Sequence, residues 1–122
     1  MGSLYEKRAA ELVKIHLVDL LRTRVNDPRV QMVTITDVEV NTDATQAKVY
    51  FSVLGDREER DAALAGLQSA AGFMRRELGP RIRLRNTPEL LFYWDASFER
   101  GERIAGLLDQ LKDDFTDEPG TE

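Results

Sequence analysis

The stretch Ser69-Ala70-Ala71-Gly72-Phe73-Met74-Arg75-Arg76 decides how the rest of this chain is interpreted. It opens with small residues, and a glycine inside a helix costs about 1 kcal/mol relative to alanine. Small side chains let another backbone approach closely, and glycine tolerates a local bend. Three further arginines follow the stretch closely, at Arg81, Arg83 and Arg85. A bare backbone surface beside this many arginines favours contact with a polyanion over catalysis.

An apolar stripe places this stretch in a long helix, because leucine, alanine and methionine recur at helical intervals on both sides of Gly72. Its members are Leu64, Leu67, Ala71, Met74 and Leu78. Upstream, Asp56 and Glu59 have the spacing of a capping box, which predicts where the helix begins. Downstream, Gly79-Pro80 predicts where it ends. The stripe therefore predicts one long helix kinked near Gly72, or two helices end to end.

The chain before this helix predicts a first helix and a β-hairpin. Ser3 and Glu6 fit a capping box for a helix over residues 4–24, and Asn26-Asp27-Pro28 ends it. Alternating β-branched residues predict a strand over residues 33–40, with a change of phase near Asp37 that indicates a bulge or a local twist. Turn residues at 41–43 lead into a second alternating strand over residues 47–53.

The chain after the long helix predicts one more strand and one more helix. Arginine alternates with apolar residues from Arg81 to Arg85, as in a strand, and the β-prone run Leu90–Trp94 continues it beyond Pro88. An amphipathic seam predicts a final helix at Ile104, Leu107, Leu108 and Leu111. We therefore predict an α+β fold whose helices cover one face of a three-stranded sheet. The opposite face, or the edge beside the kinked helix, is left for a partner.

Composition predicts a single cytoplasmic domain. The chain has 122 residues, no cysteine, and no apolar run near the roughly 20 residues that a membrane helix needs. Its net charge of -5 is concentrated at the carboxyl end, because five of the 22 acidic residues lie in the last ten positions and the other 17 balance 17 lysines and arginines. We expect a folded domain over residues 4–112 and a disordered acidic tail over residues 113–122.

Little in the sequence indicates an enzyme, a metal or a cofactor. His16 is the single histidine and lies beside the apolar face of the first helix, where a structural or surface role is expected. Without cysteine, a thiol nucleophile and a cysteine zinc site are excluded. No glycine-rich phosphate loop occurs. We expect no catalytic residue, no metal site and no cofactor.

The arginines are the candidates for binding nucleic acid. Backbone amides at a helix break and nearby guanidinium groups can hold phosphates, so Arg75 and Arg76 are expected to clamp them, with Ala70 and Gly72 shaping the surface. Weaker candidates are Arg81, Arg83, Arg85, Lys48 and Arg29. An ordinary solvent-exposed face is the alternative for arginines that alternate with apolar residues. Tyr93 and Trp94 can stack on bases, but at least one of them is expected to pack in the core together with Phe92.

Together these motifs closely resemble the bacterial ribosome-binding factor A family, over about residues 7–111. The matching segments are Asp27-Pro28-Arg29, Val33–Val40, Ala47-Lys48-Val49-Tyr50, Ala70–Arg75, Leu84-Arg85, Pro88-Glu89-Leu90, Phe92, Asp95 and Gly101–Ile104. The resemblance implies a type II KH-like fold, α-β-β-α-(kink)-α-β, with an additional carboxyl-terminal helix. That family carries an Ala-x-Gly kink where other KH domains carry a G-x-x-G loop, and Ala70-Ala71-Gly72 fits it.

The same resemblance implies a non-enzymatic assembly factor that binds the immature 30S ribosomal subunit. Such factors assist maturation of the 5′ end of 16S ribosomal RNA and matter most in cold adaptation. The resemblance also implies release by an assembly GTPase or an initiation factor, and a monomer is the default expectation.

Two other classes of function stay open on the sequence alone. A protein-interaction module would dock a partner on a sheet edge or the terminal helix, with the arginines serving solubility. A small enzyme on an α+β scaffold would need a pocket in which titratable groups converge.

Overall fold

The computed structural model describes residues 4–96. In chain order its elements are α1 (Leu4–Thr23), a 3₁₀ turn (Pro28–Val30), β1 (Val33–Val40), β2 (Gln46–Val53), α2 (Arg57–Ile82) and β3 (Glu89–Trp94). The sheet has the order β1-β2-β3, with β2 antiparallel to β1 and parallel to β3. The α+β fold class and the three-stranded sheet are therefore confirmed.

Both helices pack against one face of the sheet, with α1 mainly over β1 and α2 over β3. Alternation along β2 shows the two faces, because Ala47, Val49 and Phe51 are buried while Gln46 and Lys48 are exposed. Leucines of both helices and Phe51 form the centre of the core, and each buried side chain of this size contributes about 1.5–3 kcal/mol. The largest fully buried side chains include Phe51, Leu17, Leu20, Leu67, Met74 and Leu78.

The hairpin forms as predicted, including its irregularity. The register between β1 and β2 shifts between Ile35 and Asp37, where the sequence changes phase. The turn is held by Asn41, whose side-chain oxygen accepts hydrogen bonds of 2.9 Å from the backbone N–H groups of Thr45 and Gln46. A short polar side chain in this role is what the turn residues predict.

Helix α2 is one continuous helix through Gly72, so the alternative of two helices end to end is wrong. Its start is the predicted capping box, in which the Asp56 carboxylate accepts from the Glu59 N–H and the Glu59 carboxylate accepts from the Asp56 N–H. Two reciprocal hydrogen bonds satisfy amides that would otherwise lack partners at this end. The amino end of α2 therefore follows from local chemistry alone.

The predicted stop at Gly79-Pro80 is wrong, because α2 continues through Pro80 to Ile82. Proline removes one backbone donor and disfavours a helix interior. Against this, Ile82 lies four residues beyond fully buried Leu78 and is itself buried, so one more turn adds apolar burial. The helix ends instead at Arg83, whose backbone is left-handed with φ 49° and whose N–H donates to the Gly79 carbonyl.

The strand predicted over Arg81–Arg85 is also wrong. Arg81 and Ile82 form the last turn of α2, Arg83 caps it, and β3 begins only at Glu89. Two apolar residues at alternate positions are too short a pattern to distinguish a strand from a helix end followed by a loop. The later half of that prediction holds, because Leu90 to Trp94 lies within β3.

Several predictions lie outside the described residues. These are the Ser3 cap, the final helix over residues 104–111 and the acidic tail over residues 113–122, so the domain bounds stay a prediction. Within residues 4–96, neither helix is long and apolar enough to cross a membrane.

Candidate nucleic-acid interface

An open groove of about 350 Å³ runs between α2 and β3. The helix contributes Gln68 and Ala71, and the strand contributes Leu90 to Tyr93. Ala71 is small, which leaves space between helix and strand, and Tyr93 is 43% exposed on β3. The groove therefore combines an apolar floor with one amide side chain beside the outer edge of β3, while the Tyr93 ring lies on the face of the strand that points away from the helices.

The exposed surface of α2 beside this groove carries Gly72. A Cβ placed on Gly72 would meet only the Arg76 guanidinium, at 3.6 Å, so the helix backbone is bare at this point. Ala70 differs, because it is half-buried and packs against the core. Of the two small residues predicted to shape the surface, Gly72 is the one that faces outward.

The two arginines expected to clamp phosphates have different surroundings. Arg75 donates from Nε and Nη2 to the Thr87 carbonyl, at 3.2 and 2.9 Å. This bidentate contact ties α2 to the loop that leads into β3, and therefore positions one end of the groove. Arg76 is exposed, and within residues 4–96 it makes no hydrogen bond or ion pair, so its guanidinium is available for an anion.

Gly79 reinforces the same connection between α2 and the loop. A Cβ at Gly79 would lie 3.0 Å from the Thr87 hydroxyl, which is closer than most real contacts. The glycine thus allows the loop to approach the helix closely. Arg75 and Gly79, one turn apart on α2, together hold Thr87 in place.

Two of the weaker candidates are held by ion pairs. Arg81 pairs with Asp19 of α1 at 2.9 Å, and Arg29 pairs with Asp27 at 2.7 Å. The hydrogen bond from the Arg29 guanidinium lowers the pKa of Asp27 below its ordinary value, with a smaller contribution from the Arg29 backbone N–H. Arg29 also lies beside Gly66, on another side of α2 from Gly72. Both guanidinium groups would have to leave a carboxylate before binding a phosphate.

The remaining candidates lie apart from one another. Arg83 is exposed at the end of α2, and the Arg85 guanidinium lies 5.4 Å from the centre of the Tyr5 ring of α1. Lys48 is on β2, on the sheet face opposite the helices and across from Glu39. The structure therefore brings Gly72, Arg75 and Arg76 together on α2 and distributes the other arginines along its far end and flanks.

The aromatic side chains of β3 point alternately to the two faces of the sheet, as they do in any strand. Phe92 is buried, as expected. Trp94 is half-buried, with its ring edge-on to Phe51 at 5.7 Å and the Arg60 guanidinium 5.0 Å from its centre. Tyr93 points to the open face, where its ring lies 5.8 Å from that of Tyr50. Tyr93 is therefore the accessible stacking surface of the strand.

Sequence reasoning missed Gln68, Leu90 and Leu91, which line the groove. No local pattern marks Gln68, because its importance comes from the strand that packs beside it. No group of three or more potential metal ligands occurs among residues 4–96, and His16 is half-buried on α1.

Comparisons with known proteins all find the same family. The model of the ribosome-binding factor A family matches residues 5–108. The ribosome-binding factor A of Aromatoleum aromaticum is 48% identical over 105 residues, which covers 86% of this chain and 83% of that protein.

Two sets of coordinates for ribosome-binding factor A support the same relationship. The crystal structure of ribosome-binding factor A from Thermus thermophilus has a TM-score of 0.55 at 25% identity, covering 73% of this chain and 90% of that one. A homology model of the Thermus thermophilus factor, fitted into a cryo-EM map of a 30S complex, has a TM-score of 0.56 at 26% identity, covering 79% and 98%. From the match over residues 5–108 and the shared fold, the chain belongs to the ribosome-binding factor A family.

Proposed function

We propose that this chain is an assembly factor that binds the 30S ribosomal subunit through single-stranded RNA held between α2 and β3. Family membership supports the ribosomal partner, since the Thermus thermophilus relative was fitted into a map of its complex with 30S. The groove supports the RNA contact, and it is the single observation that carries the proposal.

The groove suits single-stranded RNA better than a duplex. An unpaired base can lie in the groove against Ala71, and Tyr93, whose ring lies on the other face of β3, offers an aromatic surface to a neighbouring base. Stacking of a base on an aromatic side chain is worth about 1–3 kcal/mol. A base inside a duplex has both faces stacked on its neighbours and none free to place there, so an unpaired, unstacked segment is the substrate that fits.

The phosphates of that segment would follow the exposed side of α2. The bare backbone at Gly72 permits close approach, and Arg76, one turn later, supplies an unengaged positive charge. Arg75 acts differently in this proposal, because it holds the Thr87 loop and so fixes the width of the groove. Contacts of this kind position RNA without selecting its sequence.

The finer role follows from the family resemblance. We propose that the factor binds immature subunits, assists maturation of the 5′ end of 16S ribosomal RNA and matters most in the cold. It would act in the cytoplasm as a monomer and leave when an assembly GTPase or an initiation factor displaces it.

The proposal is tested by placing one negative charge in the groove. Gln68→Glu should weaken binding to immature 30S subunits, and to single-stranded 16S segments, by about tenfold, ~1.4 kcal/mol, because the carboxylate repels the RNA. Gln31→Glu makes the same charge change at an exposed position before β1 and should leave binding within about twofold. Equal affinities for the two folded variants, measured by filter binding, would overturn the groove as the RNA site.

A protein-interaction module is the second candidate, because α1 exposes apolar side chains. Leu4 is 65% exposed, Ile15 58% and Leu12 38%. In that case subunit binding would survive Gln68→Glu and a change in salt, and fail with Ile15→Asp. Opposite responses of these two variants distinguish the candidates.

A further inference from the structure

Helix α2 ends on an arginine whose backbone lies in the left-handed region. Arg83 has φ 49° and ψ 43°, and its N–H donates to the Gly79 carbonyl at 3.3 Å. Many helices place glycine at such a position, because a Cβ is unfavourable there. Glycine would supply the same backbone N–H without that cost. The hydrogen bond that ends the helix therefore gives no reason for an arginine side chain.

A second residue with a left-handed backbone shows what a structural reason would be. Among residues 4–96, Ala44 and Arg83 are the two residues other than glycine that have a positive φ. Ala44 is fully buried, so its methyl group contributes to the core. Arg83 is exposed, and within the same residues its guanidinium makes no hydrogen bond or ion pair. An unfavourable backbone that packing does not explain indicates that the side chain has a use in binding.

Arg83 lies on the same side of α2 as Gly72 and Arg76. It follows Arg76 by seven residues, which is about two helical turns and about 10 Å along the helix axis. Gly79 and Pro80, which lie between the two arginines, carry no charge. The outer side of α2 therefore presents two exposed guanidinium groups in line, both beyond the bare backbone at Gly72.

The charge along α2 changes sign from its beginning to its end. Residues 56–61 carry four carboxylates and two arginines, whereas residues 75–85 carry five arginines and one carboxylate. That carboxylate belongs to Glu77 and is paired with Arg24 of α1 at 3.2 Å. Local charge of this kind repels a polyanion at one end of the helix and attracts it at the other. An RNA strand beside Gly72 is therefore drawn toward Arg83.

We propose that the RNA strand leaves the groove toward the carboxyl end of α2, where Arg83 contacts a second phosphate beyond the one at Arg76. This inference rests on the proposed function and adds to it the direction of the strand and a further contact. The contact is to the RNA backbone and is independent of sequence. The left-handed backbone of Arg83 lowers the stability of the fold, and the phosphate contact is the use of its side chain.

Arg83→Gly in the full chain separates stability from binding. Glycine keeps the backbone N–H and favours the left-handed backbone, so the midpoint of urea unfolding should stay equal or rise. Affinity for a single-stranded uridine oligomer, measured by filter binding at low salt, should fall about fivefold. The slope of log affinity against log salt concentration should flatten by about 0.7. Arg83→Lys keeps the charge and should keep the slope.

Arg57→Ala is the matched control for direction, because Arg57 is an exposed arginine in the first turn of the same helix. It should leave the slope unchanged. A lower urea midpoint for Arg83→Gly would show that the side chain serves the fold, and would overturn the inference. An unchanged slope for Arg83→Gly, or an equal loss of slope in Arg57→Ala, would also overturn it.

Arg76→Ala, measured on the same oligomer, distinguishes failure of this inference from failure of the proposed function. If Arg76→Ala flattens the slope and Arg83→Gly does not, Arg83 is no part of the interface and the site beside Gly72 is retained. If neither variant changes the slope, the second phosphate contact and the proposed RNA interface are both wrong.

Discussion

At the residue scale, the arginines of α2 and its flanks differ by what already occupies their guanidinium groups. Arg81 lies against the Asp19 carboxylate, and Arg75 is engaged by the Thr87 carbonyl. Arg76 is exposed beside Gly72 and makes no hydrogen bond or ion pair among residues 4–96. A cluster that looks uniform in the sequence therefore contains arginines whose guanidinium groups are held by the fold, at Arg75 and Arg81, and exposed arginines whose guanidinium groups make no hydrogen bond or ion pair among residues 4–96, at Arg76 and Arg83.

At Gly72 we expect one substitution to raise the stability of the fold and to lower its affinity for RNA. Its Cβ would meet nothing closer than Arg76 at 3.6 Å, so Gly72→Ala should stabilise the fold by up to about 1 kcal/mol through helix propensity. The same methyl group obstructs close approach of a phosphate, so affinity for RNA should fall. Urea unfolding and filter binding measure the two effects on one variant.

Gly66→Ala is the matched control on the same helix. A Cβ there would lie 2.8 Å from Val30 Cγ1 and 3.2 Å from Arg29 Cβ, so this variant should be destabilised. A loss of stability in Gly72→Ala would contradict the open space at this position, and undiminished RNA binding would show that Gly72 has no special place in the interface.

At the element scale, the parts of the fold set by short-range chemistry could be predicted. The capping box of Asp56 and Glu59 and the change of phase near Asp37 depend on residues a few positions apart. The end of α2 could not, because it depends on whether burying Ile82 outweighs the cost of Pro80. That balance is decided by the sheet and by α1, which are distant in the chain.

The last turn of α2 gives a sharp prediction. Ile82 is 5% exposed and Leu84 is half-buried in the loop. Ile82→Ala should therefore cost about 2–4 kcal/mol in the free energy of unfolding, and Leu84→Ala clearly less. A strand over Arg81–Arg85 would bury both side chains on one face and make the two losses equal. Equal losses in urea unfolding would contradict the helical ending.

At the scale of the whole molecule, only part of the candidate site could be predicted from the sequence. Gly72, Arg75 and Arg76 could be predicted because they are neighbours on one helix. Gln68 and Leu91 could not, because the groove exists only once β3 pairs in parallel with β2 and lies beside α2. Charge alone groups Lys48 and Arg29 with the α2 arginines, yet the two residues lie on other sides of the fold.

The charge of the whole chain also bears on the interface. The chain carries a net charge of -5, so affinity for RNA has to come from local positive charge. Each phosphate neutralised on single-stranded RNA adds about -0.7 to the slope of log affinity against log salt concentration. That slope counts the contacts without identifying the nucleotides.

The most direct test of the RNA interface beside α2 is the slope of log affinity against log salt concentration. It is measured for the original chain, Arg76→Ala and Arg81→Ala, each shown to be folded. The ligands are immature 30S subunits and single-stranded 16S segments. Arg76 is exposed and unengaged, so Arg76→Ala should weaken binding and flatten the slope by about 0.7 while changing stability by less than about 0.5 kcal/mol. Arg81→Ala removes a guanidinium already paired with Asp19 and should leave the slope unchanged. An Arg76→Ala variant that keeps both the affinity and the slope of the original chain would contradict the account.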